Sequence, residues 1–402
     1  MTASYMKISK LLFVYSILAT SLAMPGMSST SLRTMGRIDS GSLGKAVDNP
    51  VIHAFDLSED GRNLALLVTS GESQTATEWL LVVDTRTSQV LRKAQIGQGL
   101  AYVSQVLFTS DGRFLVVRDN LPEVRVLESA SLAVVHRIEP PSDKFRFLLS
   151  ISRSSGSDVI AVNFAAVGLA MIRDDEKVPG YTEIIDAAHG TARGSWRCDD
   201  IIGQVLSPDG SLAAIPDWST GNAIAGISVV DTKSGAKVAA IGSGYTFKDR
   251  RPFDTSAARV DARFVTQTEI VLTPDPGTFV SGHLVGGQTL KLVRIPDGKV
   301  LDEKRPRRYG ASIQAAASSD GRFCATLSLD VKLNYNREIP PLTKCDLMVF
   351  SLRDGIHLDE TERLVGFLGL SGADGRDLLR ISSNGSVIAV VQDGGITLFE
   401  RR

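Results

Sequence analysis

Short apolar runs, four to eight residues long, recur along this chain and are separated by a repeated polar turn. Ser58-Glu59-Asp60-Gly61-Arg62 returns as Ser110-Asp111-Gly112-Arg113, Ser207-Pro208-Asp209-Gly210-Ser211, Ser319-Asp320-Gly321-Arg322 and Ser383-Asn384-Gly385-Ser386. Asp-Gly and Asn-Gly are strong hairpin signals because a tight two-residue turn needs positive φ, which these residues tolerate. Two weaker hairpins are read from spacing and flanks. Phe147-Leu148-Leu149 leads to Val159-Ile160-Ala161-Val162 around Gly156, and Arg263-Phe264-Val265 leads to Ile270-Val271-Leu272 around Gln267. Seven hairpin centres result, near Asp60, Asp111, Gly156, Asp209, Gln267, Asp320 and Asn384.

A second element follows most hairpins. Leu81-Val82-Val83-Asp84-Thr85 has a near copy in Ser228-Val229-Val230-Asp231-Thr232, and each leads through a polar turn into a more polar run. Each unit therefore predicts four short antiparallel strands. The first two are almost wholly apolar, as strands covered on both faces must be, and the last is mixed and outermost. Four such strands at a spacing of about 40–50 residues describe a propeller blade. Helical periodicity is absent, which argues against helical solenoids and βαβ folds. The expected fold is all-β, a seven-bladed β-propeller with a margin of one blade either way.

Closure follows from the ends of the pattern. The last unit has only three strands, at Leu378 to Ile381, Val387 to Val391 and Gly395 to Phe399. An open blade would leave a bare sheet edge. Residues 31–49 precede the first unit, so this segment is expected to supply the missing outer strand, with the blades spanning 50–402.

The turns and strands resemble the bacterial WD-repeat-like propellers of the YVTN and TolB type, which carry the same Ser-Pro-Asp-Gly turns. The resemblance covers about 50–402 and implies architecture rather than activity, since such rings include scaffolds, receptors and enzymes. The Trp-Asp ending of eukaryotic repeats is missing.

The chain has 402 residues and a formal net charge of -1, so no global field draws it to nucleic acid. Lys7, Lys10, the apolar run Leu11 to Ala19 and the small-x-small site Ser21-Leu22-Ala23 read as a signal peptide over 1–23, with a single propeller domain over 24–402. A secreted or periplasmic, monomeric protein is expected, with no integral membrane segment after cleavage. Three cysteines leave at least one free thiol. Cys324 and Cys345 begin adjacent antiparallel strands. Cys345 should lie opposite Leu329, some ~16 Å along the ladder from Cys324, too far for a disulfide.

Catalytic signatures are sparse. No Gly-x-Ser-x-Gly elbow or complete phosphate loop occurs. His53, His136, His189, His283 and His357 are scattered without ligand spacing, and no metal, cofactor or catalytic residue is assigned. His53, on an axial strand that could face the channel, reads as a satisfied or solvated histidine. The candidate binding feature is basic: Lys248, Arg250 and Arg251 between units four and five, Arg305, Arg307 and Arg308 between units five and six, and Lys332, Tyr335 and Arg337 in a long loop of unit six. These links emerge on one face of a propeller and would hold a protein or anionic ligand through Arg forks and a Tyr anchor. The sequence thus favours an exported, non-catalytic binding or scaffold module. The alternative is a lactonase- or dehydrogenase-like propeller enzyme at the channel mouth, which would need acidic or His side chains converging there.

Overall fold

The computed structural model describes residues 32–401 apart from 72–74, 100–103, 119–121, 167–178, 199–203, 218–223, 249–259, 275–282, 286–288, 306–309, 331–343 and 366–377. Seven small antiparallel sheets form a ring, and each is one blade. Blade 1 runs from the inner strand Pro50–Leu57 through Asn63–Ser70 and Thr77–Asp84 to the outer strand Val90–Gln98. The inner strands of blades 2 to 7 are Gln105–Phe108, Phe147–Arg153, Val205–Leu206, Val260–Phe264, Gly310–Ala317 and Leu379–Ile381. All seven expected hairpins are present between inner and second strands.

Burial is graded from axis to rim. In blade 1 the second strand is buried except at its two ends, whereas the outer strand alternates between half-buried and exposed positions until Ile96. This gradient is the reason for the apolar-to-mixed trend within each unit: central strands have a blade on either side, and the outermost has solvent.

The ring closes as the sequence requires. Arg33–Ile38 pairs antiparallel with Gly395–Glu400, from Arg33 opposite Glu400 to Ile38 opposite Ile396, and so completes blade 7. Asp39 then caps a one-turn helix at Ser40–Leu43 through a reciprocal capping box with Ser42. Leu43 and Val47 enter the same core cluster as Phe55 of blade 1 and Val390 of blade 7. At the other terminus the Arg401 guanidinium lies 3.6 Å from the Phe323 ring centre and donates to Glu360 and Asp359 of blade 6.

The repeated turn differs from the two-residue hairpin that its Asp-Gly pair suggests. It spans residues 58–62 in blade 1, closed by Ser58 N–H to the Asn63 carbonyl and Gly61 N–H to the Ser58 carbonyl. Ser58 Oγ and Arg62 N both donate to Asp60 Oδ1, so the Asp carboxylate organises the loop while only Gly61 takes positive φ, at 70°. Ser318, Asp320 and Arg322 repeat the arrangement in blade 6. The Asp-Thr pair of the third strand has its own purpose. Thr85 Oγ1 donates to the Gly61 carbonyl and Thr232 Oγ1 to the Gly210 carbonyl, both at 2.7 Å, which ties one turn of the blade to the other.

These turn glycines also pack between blades. A β-carbon at Gly61 would stand 2.8 Å from Val387 of blade 7, and one at Gly385 would stand 2.6 Å from the Phe323 ring of blade 6. Gly112 has the same positive φ but nothing within 4 Å. Gly112→Ala should therefore cost about 1 kcal/mol for the left-handed backbone alone. Gly385→Ala should cost about 2–4 kcal/mol, because the clash adds to that strain. Urea midpoints of the two variants measure the difference, and equal losses would show that the interblade contact carries no weight.

Two features depart from the simple ring. The outer strand of blade 4 extends to twelve residues, Lys237–Lys248, and pairs with His283–Val285, which lies in the sequence of unit five. Blade 4 is therefore five-stranded. Ile295-Pro296 is a cis peptide. Cys345 lies opposite Leu329, and Cys324 and Cys345 are both buried free thiols.

Candidate functional site

The inner strands bring together four charged side chains that are far apart in sequence. Asp56 follows Phe55 near the end of the blade 1 inner strand and is fully buried. Its Oδ1 takes the Arg380 Nε of blade 7 at 2.7 Å, and its Oδ2 accepts the Phe108 backbone N–H of blade 2 at 2.8 Å. Arg153 of blade 3 places Nη2 3.7 Å from Asp56 Oδ2 and 3.1 Å from Glu59 Oε1, while Nη1 donates to the Phe108 carbonyl at 2.9 Å. Ser319 of blade 6 donates its hydroxyl to Glu59 Oε2. Blades 1 and 3 are not neighbours, nor are blades 1 and 6. Contacts between them place Glu59 at the axis, on the face made by the inner turns.

The chain gives this cluster its position through the repeat. Asp56, Arg263 and Arg380 each stand two residues before the last buried position of an inner strand or its turn, and Arg153 ends its own strand. Arg263 and Arg380 both fold Nη1 onto the carbonyl of the residue before them, at 2.8 and 3.2 Å. Burial pushes the Glu59 carboxyl above its usual range, against the pull of Arg153 and the Ser319 hydroxyl. Two carboxylates and two guanidiniums thus neutralise one another, and the carboxylates are occupied as interblade clasps.

The other junctions are clasped likewise. Gln105 Oε1 of blade 2 accepts the Ile151 N–H of blade 3, and Gln314 Oε1 of blade 6 accepts the Leu378 N–H at blade 7, both at 2.9 Å. A buried chain from Ser150 through Asn163 and Thr182 to Gln204 joins blades 3 and 4. Gln267 donates to Ser211 between blades 5 and 4, and Asp302 of blade 5 accepts the Ile356 N–H of blade 6. Buried polar groups that are hydrogen-bonded fix register between sheets where apolar packing alone would slide.

His53 is buried, with Nε2 2.7 Å from Thr69 Oγ1, and Thr69 donates onward to the Gly71 carbonyl. The Thr hydroxyl spends its proton on Gly71, so His53 Nε2 is the donor of the first bond. His136 meets the Ala188 carbonyl, His189 lies against Asp186, and His357 meets the Asp354 carbonyl. Among the described residues no group of three or more His, Cys, Asp or Glu side chains has the arrangement of a metal site. A second buried acid, Glu78 of blade 1, takes the Ser104 hydroxyl and is held up by burial against the pull of Ser104 and of Arg125 in blade 2.

The basic site read from the sequence lies largely beyond these elements. Arg250, Arg251, Arg307, Arg308, Lys332, Tyr335 and Arg337 fall outside the described residues. Lys248 ends the outer strand of blade 4, where its backbone pairs with His283, and Arg305 follows the outer strand of blade 5 and is exposed. The axial cluster escaped the sequence reading because no local motif marks it. A signal existed nonetheless: Asp56, Arg153 and Arg380 are charges inside inner strands whose pattern otherwise demands apolar residues.

Comparison with known proteins yields architecture only. No known family matches the chain, and no curated protein matches it. Among solved structures 1290 chains match, so the fold is widespread and carries no single function. One is the Cps50 (Swd1) β-propeller domain of Myceliophteria thermophila, with a TM-score of 0.55 and 10% identity over 92% of this chain and 100% of that one. At that identity the likeness shows the seven-bladed propeller fold and nothing finer.

Proposed function

We propose that this protein is a non-catalytic binding or scaffold propeller of the WD-repeat-like kind, exported after cleavage near Ala23, and that it engages a protein or anionic ligand through the face opposite the inner turns. The observation that carries the reading is an asymmetry of loops. The turns between inner and second strands are all short, at 58–62, 109–113, 154–158, 207–211, 265–268, 318–322 and 382–386. They are also bonded to one another, as in Ser383 N–H to the Glu59 carbonyl, Asp320 N–H to the Ser383 carbonyl and Gly156 N–H to the Pro208 carbonyl. Links on the opposite face vary widely, from 393–394 to 331–343 and 366–378. Variable loops on a rigid ring are where recognition resides. On this reading the contact residues are the basic residues that the sequence sets in or beside these links, Lys248, Arg250, Arg251, Arg305, Arg307, Arg308, Lys332 and Arg337, with Tyr335. A YVTN or TolB-type kinship accords with the Ser-Pro-Asp-Gly turn at 207–210.

The enzyme alternative asked for acids converging at the axis. Asp56 and Glu59 do converge, but with Arg380 and Arg153 as partners, which favours the structural use. The test is capture of partners from the protein's own compartment with the intact chain and with a variant reversing Lys248, Arg251, Arg305, Arg307 and Arg308. Loss of the wild-type partners supports the basic face. Retention of every partner removes it, and turnover of a sugar lactone or alcohol by the wild type would favour the rival.

A further inference from the structure

We propose that this propeller associates edge to edge with a second copy of itself, the outer strand of blade 1 pairing in parallel with the outer strand of blade 6 of the neighbour. Both strands, Val90–Gln98 and His357–Val365, are nine residues long and, among the described residues, end their sheets, leaving a row of backbone donors and acceptors for another strand. The longest outer strand, that of blade 4, is paired with His283–Val285 at its last three residues, and blade 7 is finished by Arg33–Ile38.

The occupant is argued from side-chain complementarity. Blade 1 presents Val90-Leu91-Arg92-Lys93, and blade 6 presents His357-Leu358-Asp359-Glu360. Paired in parallel from their first residues, the strands set Leu91 beside Leu358 on one face and Arg92 beside Asp359 on the other. Leu91 is 47% exposed and Leu358 is 40% exposed, although each begins a strand in an otherwise well-covered sheet. Lys93 and Glu360 are engaged within their own copy, by the Ala46 carbonyl and Trp79 ring and by Arg401, so Arg92 and Asp359 supply the charge pairing, with Arg401 sharing Asp359. The neighbouring blades repeat the theme. Blade 2 offers Val134-Val135-His136-Arg137 and blade 5 offers Val300-Leu301-Asp302-Glu303, and all four apolar residues are exposed.

Geometry admits both contacts together. The outer strands of all blades run the same way along the axis, so parallel pairing requires parallel axes. Blade order is reversed across such a contact, which sets blade 1 against blade 6 and blade 2 against blade 5. The basic edges and the acidic edges lie on nearly opposite sides of the ring. The contact is therefore heterologous, and each copy keeps one edge of either kind for the next. Charges on edge strands ordinarily keep copies apart. Here the two edges carry opposite signs and attract.

Sedimentation velocity of the full chain tests this at low and high salt. At about 20 mM salt the average mass should rise with concentration, and at about 500 mM the association should weaken roughly tenfold as the charges are screened. Leu91→Asp/Arg92→Glu disables only the basic edge, and Leu358→Lys only the acidic edge. Each variant alone should sediment as a monomer with a thermal midpoint close to that of the wild type, since Leu91 and Leu358 are exposed and Arg92 is half-buried on an outermost strand. Mixed in equal amounts they should form dimers and nothing longer, because each retains one intact edge. A wild type that stays monomeric at every concentration, variants that associate like the wild type, or a mixture that stays monomeric would each overturn the proposal.

Discussion

Removing residues 31–47 should leave a chain that cannot complete its ring. The segment supplies the whole outer strand of blade 7, and Leu32, Ile38, Leu43 and Val47 are all buried in the core shared with blades 1 and 6. At about 1.5–3 kcal/mol for each buried aliphatic side chain, their loss amounts to about 6–12 kcal/mol. That is comparable with the whole stability of an ordinary domain, about 5–15 kcal/mol. It would also expose the edge of Gly395–Glu400 to pairing with other chains. The truncated protein should accumulate as aggregate, and any soluble fraction should be cut near residue 395 by a protease that spares the intact ring. A synthetic peptide of residues 31–47 added during refolding should restore protection. An unchanged thermal midpoint in the truncated chain would mean that the ring closes without this strand.

The second large effect is expected at Asp56. Asp56→Ala removes the carboxylate partner of the Arg380 guanidinium, removes one anionic neighbour of Arg153 and takes away the acceptor of the Phe108 N–H. Breaking a buried charge pair from one side costs about 3–5 kcal/mol, because the remaining charge stays desolvated. Asp56→Asn keeps an oxygen for Phe108 but loses the charge and the acceptor that Arg380 uses, so it should cost about 1–3 kcal/mol. Denaturant midpoints distinguish the two. If Asp56→Ala lost less than Asp56→Asn, or neither lost stability, the axial cluster would not be the clasp that its geometry indicates.

The fold was legible because propeller blades are local. Each strand pairs with the next in sequence, so a hairpin signal such as Ser58 to Arg62 and a strand-turn signal such as Val83-Asp84-Thr85 reveal most of a sheet. Even register was readable, as Cys345 opposite Leu329 shows. The turn geometry was less so. Asp60 acts by accepting Ser58 and Arg62, a role that the Asp-Gly pair alone does not distinguish from a two-residue hairpin. The fifth strand of blade 4 was hidden because His283–Val285 pairs backward to the preceding unit. The axial cluster was hidden for a deeper reason. Arg153, Glu59 and Arg380 meet only because the ring wraps round, and nothing within any one repeat records that meeting.

Ring closure also fixes an order of events in the life of the chain. Arg37 donates to the Gln392 carbonyl across a separation of 355 residues. The strand Arg33–Ile38 therefore waits for Gly395–Glu400, and six blades can pair internally before the seam has a partner. Contacts of such separation are entropically slow to form. A growing polypeptide of this kind stays an unlatched arc until the strand Gly395–Glu400 has been made, and becomes a locked disc only when Arg33–Ile38 pairs with it.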